Sequence, residues 1–276
     1  MEVISFSLTH TRPDVFDIYP IGDIHLGSIA CVEDELQKTL QAVLHNPKAY
    51  MIGMGDMTEC ITKNDPRFDV GGLADWVVKD NIVESQRQRV VELLKPLADK
   101  GKIITLLTGN HEETVHSVWQ YDMTRNLCQD LKVSYGGYSC FVVMNFLRGK
   151  RTSVQHDTHE YIIHCHHGAG GAQTEGSRTM RLMRLVNDIE AHIYLMGHLH
   201  CITTYTPDRL SHFRGRIKST NLIATTTGSW LKAYAQPHKG RQLNASYAEQ
   251  KGYKPNRLGC PVIHINPDKN WFKVEV

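Results

Sequence analysis

Five short patches in chain order carry side chains of the kind that bind divalent metals. They are Asp23-Ile24-His25, Gly55-Asp56, Gly109-Asn110-His111-Glu112, His166-His167-Gly168 and Gly197-His198-Leu199-His200. Carboxylate oxygen, amide oxygen and imidazole nitrogen suit hard-to-borderline cations. Together the patches offer enough ligands for two ions side by side, the arrangement used to attack phosphate esters. Two such ions about 3.5–4 Å apart neutralise phosphoryl oxygens and turn a bridging water into hydroxide near neutral pH. Holding two cations that close requires a shared anion, so one carboxylate must bridge them. If Asp23-x-His25 and His198-x-His200 lie on strand ends, the period-two alternation of side chains aims both members of each pair to one side. Singly, each patch has an ordinary explanation: Gly-Asp and Gly-Asn are turn formers, and paired histidines can be satisfied core groups. Five in this order, each after an apolar run that reads as a strand, point to one site.

The elements that must position these patches alternate along the chain. Phe16–Gly22, Tyr50–Met54 and Ile103–Leu107 read as strands, with helices over Glu33–Leu44 and Ile82–Ala98 between them. Continuous apolar runs flanked by helices suit parallel strands buried on both faces. Their ligand-bearing tails fall at the carboxyl ends, where open α/β sheets place their sites. Beyond Tyr138, strands are expected at Ser139–Phe146 and Tyr161–His166, flanking an exposed basic and His-rich loop over Arg148–Glu160. Met180–Ile189 reads as a helix and Ile193–Met196 as the strand before Gly197. Pro261–Ile265 and Trp271–Val276 alternate apolar and polar about a turn, forming a hairpin. No repeat or linker divides the chain, so residues 1–276 read as a single domain.

In these residues the chain resembles the calcineurin-like metallophosphoesterase family, whose pattern is D-x-H, GD, GNH followed by an acid, a lone His, and GHxH. The match spans Asp23 to His200, and Gly228-Ser229 after a β-like run fits the family's strand beyond the last motif. The resemblance implies an α/β fold of two stacked mixed β-sheets flanked by helices, an αββα sandwich. It further implies that Asp23, His25 and His200 hold one metal, that Asn110, His166 and His198 hold the other, and that Asp56 bridges. His111 is then outside the metal shell, contacting phosphate and assisting the leaving oxygen. Glu59, three residues after Asp56, stands where the family often has an acid, and its role is open. Either His166 or His167 can be the lone histidine; the family's habit of leading the pair favours His166. Manganese is the expected metal of the two-ion centre, with iron and zinc also suited to these ligands.

Composition is that of an ordinary soluble globular protein, with 41% hydrophobic and 22% charged residues. A formal net charge of +2 supplies no global argument for nucleic acid. Seven cysteines, an odd number without C-x-x-C pairs, suit reduced thiols in a cytoplasmic setting. The first residues lack a secretory pattern, and no apolar run is long enough to span a bilayer, so no membrane partner is expected.

Two regions bear on substrate choice. Cys60–Lys79 is an insertion-like stretch directly after the Asp56 loop. Asp208–Arg257 carries ten cations against two acids, and Arg178, Arg181 and Arg184 form a three-residue-spaced stripe. Such clusters suit a polyanion, and ordinary solvated basic faces look the same in sequence. The expected activity is therefore phosphodiester hydrolysis, on nucleic acid or a nucleotide, with nuclease action among the forms it could take. Phosphomonoester hydrolysis of a nucleotide, small phosphate or phosphoprotein is the alternative, and an inactive scaffold of the same fold a third reading.

Overall fold

The structure is a computed structural model that describes residues 1–149, 158–234, 247–250 and 252–276. Most of the expected loop between Arg148 and Glu160, and the cations Lys239, Arg241 and Lys251, lie outside the described residues.

Two mixed six-stranded sheets stack face to face, with helices on their outer faces. In the first sheet, β2 (Phe16–Ile21), β3 (Ala49–Gly53), β4 (Ile103–Leu107) and β5 (Ser134–Gly137) run parallel. The antiparallel strands β13 (Val262–Asn266) and β14 (Trp271–Glu275) extend it beyond β2. The second sheet has the order β1 (Glu2–His10), β6 (Ser139–Arg148), β7 (Thr158–His166), β8 (Ile193–Met196), β12 (Ile223–Thr226), β9 (Thr204–Tyr205). Its β7, β8 and β12 are mutually parallel. This is the αββα sandwich expected from the sequence.

Sequence patterning explains the layers. Phe16, Ile18, Ile52, Met54, Ile104 and Leu107 from the first sheet meet Val142, Met144, Phe146, Ile163 and Leu195 from the second in a core between them. The outer face of the first sheet is covered by α1 (Glu33–His45), α2 (Ile82–Asp99), α3 (Asn110–Trp119) and α4 (Met123–Leu131), through Leu36, Leu40, Val90, Leu94 and Leu127 among others. On the second sheet, α5 (Glu175–Asp188) buries Leu182 and Val186 against Tyr194 and Ala224. Strand β4 is buried along its whole length, as its unbroken apolar run demands. Several elements were not expected. They include β1, β5, β9, the helices α3 and α4, and a hairpin of β10 (Asp208–Phe213) with β11 (Arg216–Asn221). A short helix α6 (Tyr247–Gln250) precedes the final strands.

Cys60–Lys79 folds back on the first motif. Leu73, Val77 and Ile82 form a small apolar cluster with Phe68 and Trp76. Backbone hydrogen bonds join Ala74 to Gly27 and Ile29 to Gly72. The stretch is thereby fastened beside the Asp23–His25 loop.

Candidate metal centre

The strands of both sheets end just short of the residues that matter. Strand β2 stops at Ile21, β3 at Gly53, β4 at Leu107, β7 at His166 and β8 at Met196. Beyond them the backbone of Asp23 (φ 49°), His25 (φ 52°), Asp56 (φ 48°), His198 (φ 69°) and His200 (φ 49°) is left-handed. Residues with a Cβ avoid this region, and each costs on the order of 1–3 kcal/mol unless its surroundings enforce it. The pairs Asp23/His25 and His198/His200 therefore converge through tight left-handed turns, and not through the strand pleat that the sequence suggested.

Beside a third cluster of His25, Glu59 and His111, two donor groups result. In one, ligand atoms of Asp23, His25, Asp56 and His200 all lie within 4.8 Å of one another; in the other, those of Asp56, His167 and His198 do. Asp56 belongs to both. Its Oδ2 is 3.3 Å from His167 Nε2 and 3.9 Å from His25 Nε2. The Asn110 side-chain oxygen joins the second group, 2.7 Å from His198 Nδ1 and 3.2 Å from His167 Nε2. His25 and His200 bring their Nε2 atoms to 3.0 Å.

The expectation for His166 is corrected: His167 is the histidine in the cluster. His166 is the last residue of β7 and keeps the pleat, on the same side as His164. Its Nδ1 accepts a hydrogen bond from the Gly168 N–H at 2.7 Å, and its ring meets Tyr138 edge-on. His167, one residue beyond the strand, turns inward and donates its Nδ1–H to the Met54 carbonyl at 2.8 Å, leaving Nε2 toward Asp56.

Several side chains not assigned from sequence fix this geometry. Glu112, 1% exposed, accepts from the backbone N–H groups of Asp56, Thr58 and Gly109, each at 3.0 Å, and so locks the Asp56 loop to the start of α3. The His111 N–H donates to Asp56 Oδ1 at 2.9 Å, placing that carboxylate at a helix N-terminus, where the aligned peptide dipoles favour an anion. Gly109 has no alternative, since a Cβ there would meet Asp56 Oδ1 at 2.1 Å. Glu59 accepts a 2.9 Å bond from His25 Nδ1, orienting that ring and leaving Nε2 as its donor atom. The acids at 59 and 112 were visible in sequence beside their motifs; that they act through neighbouring groups was not. His111 donates Nδ1–H to the Glu59 carbonyl, which leaves Nε2 as the atom it can offer a substrate.

Electrostatics fit cations. Asp23 and Asp56 are at most 1% exposed, and among the described residues neither is paired with Lys or Arg. Burial, with repulsion from Asp56, holds the Asp23 carboxyl up to about 7 despite the attraction of His167. For Asp56 burial pulls the same way, yet the imidazoles of His167, His111 and His25 bring it below the usual range. Burial opposes charge on His25 and His167 too; Glu59 beside one and Asp56 beside the other outweigh it and push both to about 9. Burial lowers His198 to about 4 and takes His200 well below the usual histidine range, so both rings stay neutral and able to donate a lone pair. Buried carboxylate and amide oxygens facing imidazoles form, once His25 and His167 have lost their protons, a donor set suited to manganese, iron or zinc.

The basic residues are placed elsewhere. Arg178 donates to the Ala172 carbonyl at 3.1 Å, and Arg181 to those of Gly171 (2.9 Å) and Ala169, so both brace the loop after His167. Arg184 is exposed on α5. Arg209, Arg214, Arg216 and Lys218 lie on the β10–β11 hairpin. Thr226 pairs with Met196 at the site end of the second sheet, whereas β9 runs back antiparallel and delivers the hairpin to the other end. There Arg209 reaches the Val186 carbonyl, late in α5, at 2.6 Å.

The sequence pattern of the calcineurin-like phosphoesterase family matches residues 16–201, more than half of the chain, and the chain belongs to that family. Among proteins of curated function, no relative matches it. Its family makes it a metal-dependent phosphoesterase acting on phosphate esters, and no helix among the described residues is long and apolar enough to cross a membrane.

Proposed function

We propose that this chain hydrolyses phosphodiesters of nucleotide type at a centre of two divalent metals, manganese first among the candidates. The observation that carries the two-metal reading is Asp56, whose carboxylate belongs to both donor groups. Asp23, His25, Asp56 and His200 would hold one ion, and Asp56, Asn110, His167 and His198 the other. Bound there, two such ions neutralise phosphoryl charge and activate water near neutral pH. The protein's own groups do the rest. Glu59 and the Met54 carbonyl take the Nδ1 protons of His25 and His167, so that Nε2 of each is the free donor. The Glu59 carbonyl holds His111 by Nδ1, which leaves Nε2 to assist the leaving oxygen as general acid.

The diester preference rests on the flank of His111. Beginning at Val115, four residues beyond His111, α3 and the Cys60–Lys79 stretch bound a recess of about 550 Å³, which we assign to a second ester substituent. The arginine stripe and the basic hairpin lend no support to a long polyanion, since Arg178 and Arg181 are engaged with loop carbonyls and the hairpin lies at the other end of its sheet. The test is a panel with manganese: bis-p-nitrophenyl phosphate, p-nitrophenyl phosphate, single-stranded DNA and duplex DNA. Faster turnover of the diester is expected; faster turnover of the monoester would replace this reading with a phosphomonoesterase.

A further inference from the structure

A cavity of about 550 Å³ lies between the Cys60–Lys79 stretch, the start of α2 and the far half of α3. Val115 forms buried wall, Tyr121 a half-buried one, and the Trp119 ring is 55% exposed, unusual for so large an apolar group. Polar groups in the lining include the amides of Asn64 and Asn81 and the side chain of Lys79. Lys63 is held by Asp80 at 3.3 Å. A lining that combines an aromatic ring with amides that both donate and accept suits a flat heteroaromatic ring, which stacks with its face and hydrogen-bonds at its edge.

Two segments of the chain run from the site to the cavity. Val115 and Trp119 follow His111 on α3 by four and eight residues, about 6 and about 12 Å along the axis. Thr62 follows Glu59, whose carbonyl holds the His111 ring, by three residues. Trp119 thus lies about two helical turns beyond His111 on the same element.

We propose that this cavity receives a nucleobase of the phosphodiester substrate, on the side of the ester that His111 serves. The inference rests on the phosphodiesterase reading and names its substrate class. Neither Trp119 nor Tyr121 belongs to the metal centre, so the pocket can be altered without touching the chemistry.

The experiment compares the dinucleotide ApA with the same diester lacking the base on its leaving side, using manganese-loaded protein. Wild type is expected to favour ApA in kcat/KM by about tenfold or more, the scale of one base–aromatic stack. Trp119→Ala should reduce ApA to the rate of the abasic diester, whose turnover is unchanged, while Trp119→Phe keeps most of the preference. Adenosine should quench tryptophan fluorescence of chelator-treated wild type saturably, and not that of Trp119→Ala. Equal rates for the two diesters, or a preference that survives in Trp119→Ala, would overturn the pocket and leave the diester reading to the chromogenic panel. So would quenching by a long-chain alkyl phosphate in place of adenosine. Failure to cleave either ApA or bis-p-nitrophenyl phosphate would instead overturn the phosphodiesterase reading, and the pocket with it.

Discussion

The two sheets contribute unequal halves to the centre. The first supplies Asp23, His25, Asp56 and Asn110 from loops knitted together by carboxylate-to-backbone hydrogen bonds, with Glu112 at the knot. The second supplies His167, His198 and His200. Here His200 keeps 32% of its side chain exposed, and the His198 N–H leans on the Asp23 carboxylate at 2.8 Å. The anionic half is built by the protein itself, whereas the imidazole half borrows its position from the anions it faces. The asymmetry has a physical reason. Two carboxylates buried together repel, so they need fixed backbone dipoles, while imidazole rings need only an orienting partner.

The largest effect should come from the shared anion. Asp56→Asn removes the charge that offsets two cations and is expected to abolish turnover and lose at least one metal, read by metal analysis after manganese loading. A variant that retained two ions per chain would end the bridging role. His111→Ala should keep both ions yet slow turnover about 10²–10⁴-fold, the loss of a general acid; an emptied centre would place His111 in the coordination shell instead.

Next comes the contrast within the second half. His167→Ala should lose metal and activity, and His166→Ala should leave both near wild type because its ring faces Tyr138 and Gly168. The reverse pattern in a paired metal titration would restore the assignment that the family's habit favoured.

Glu112→Gln tests the knot of the first half. It weakens charge-assisted bonds to buried N–H groups, and denaturant unfolding should show a loss of about 1.5–3 kcal/mol. An unchanged midpoint would mean that the Asp56 loop holds itself.

The smallest effect is a pH dependence. In the metal-free protein His25 and His167 are raised to about 9 and Asp23 to about 7, so all three carry protons that must leave when a cation binds. Manganese affinity should therefore rise with pH through this window and fall as pH drops, by about tenfold per unit for each proton released. Titration calorimetry in buffers of different ionisation heat counts those protons. Zero release would contradict the charge states of the anionic half.

Much of this was legible in the sequence because metal chemistry restricts residue types. Strands β4 and β8 have the bounds that their apolar runs predicted, and α1 differs by one residue. The choice between His166 and His167 was also written in the chain, in the alternation of Tyr161, Ile163 and Cys165 toward the inter-sheet core. Continued past the strand end, that parity selects His167. Strand β1 shows the same kind of signal: Ile4, Phe6 and Leu8 pack toward the core and Ser5, Ser7 and Thr9 are exposed. What the sequence could not carry was three-dimensional. No local pattern says that the basic hairpin is delivered to the far end of its sheet, or that Arg178 and Arg181 spend their donors on loop carbonyls. The left-handed turns at Asp23 and His198 are likewise enforced from outside the motifs.

Asp23 has a consequence for how the centre comes into being. Its backbone carbonyl accepts from Ser229 Oγ at 2.7 Å and from the Trp230 N–H at 3.3 Å, and its carboxylate accepts from His198. These partners stand 206, 207 and 175 residues further along the chain. Contacts of such sequence separation close late, after more local structure has reduced the entropy of the intervening loops. In a refolding experiment the metal centre should therefore be among the last features to appear, and manganese should bind no intermediate in which the second sheet is still unformed.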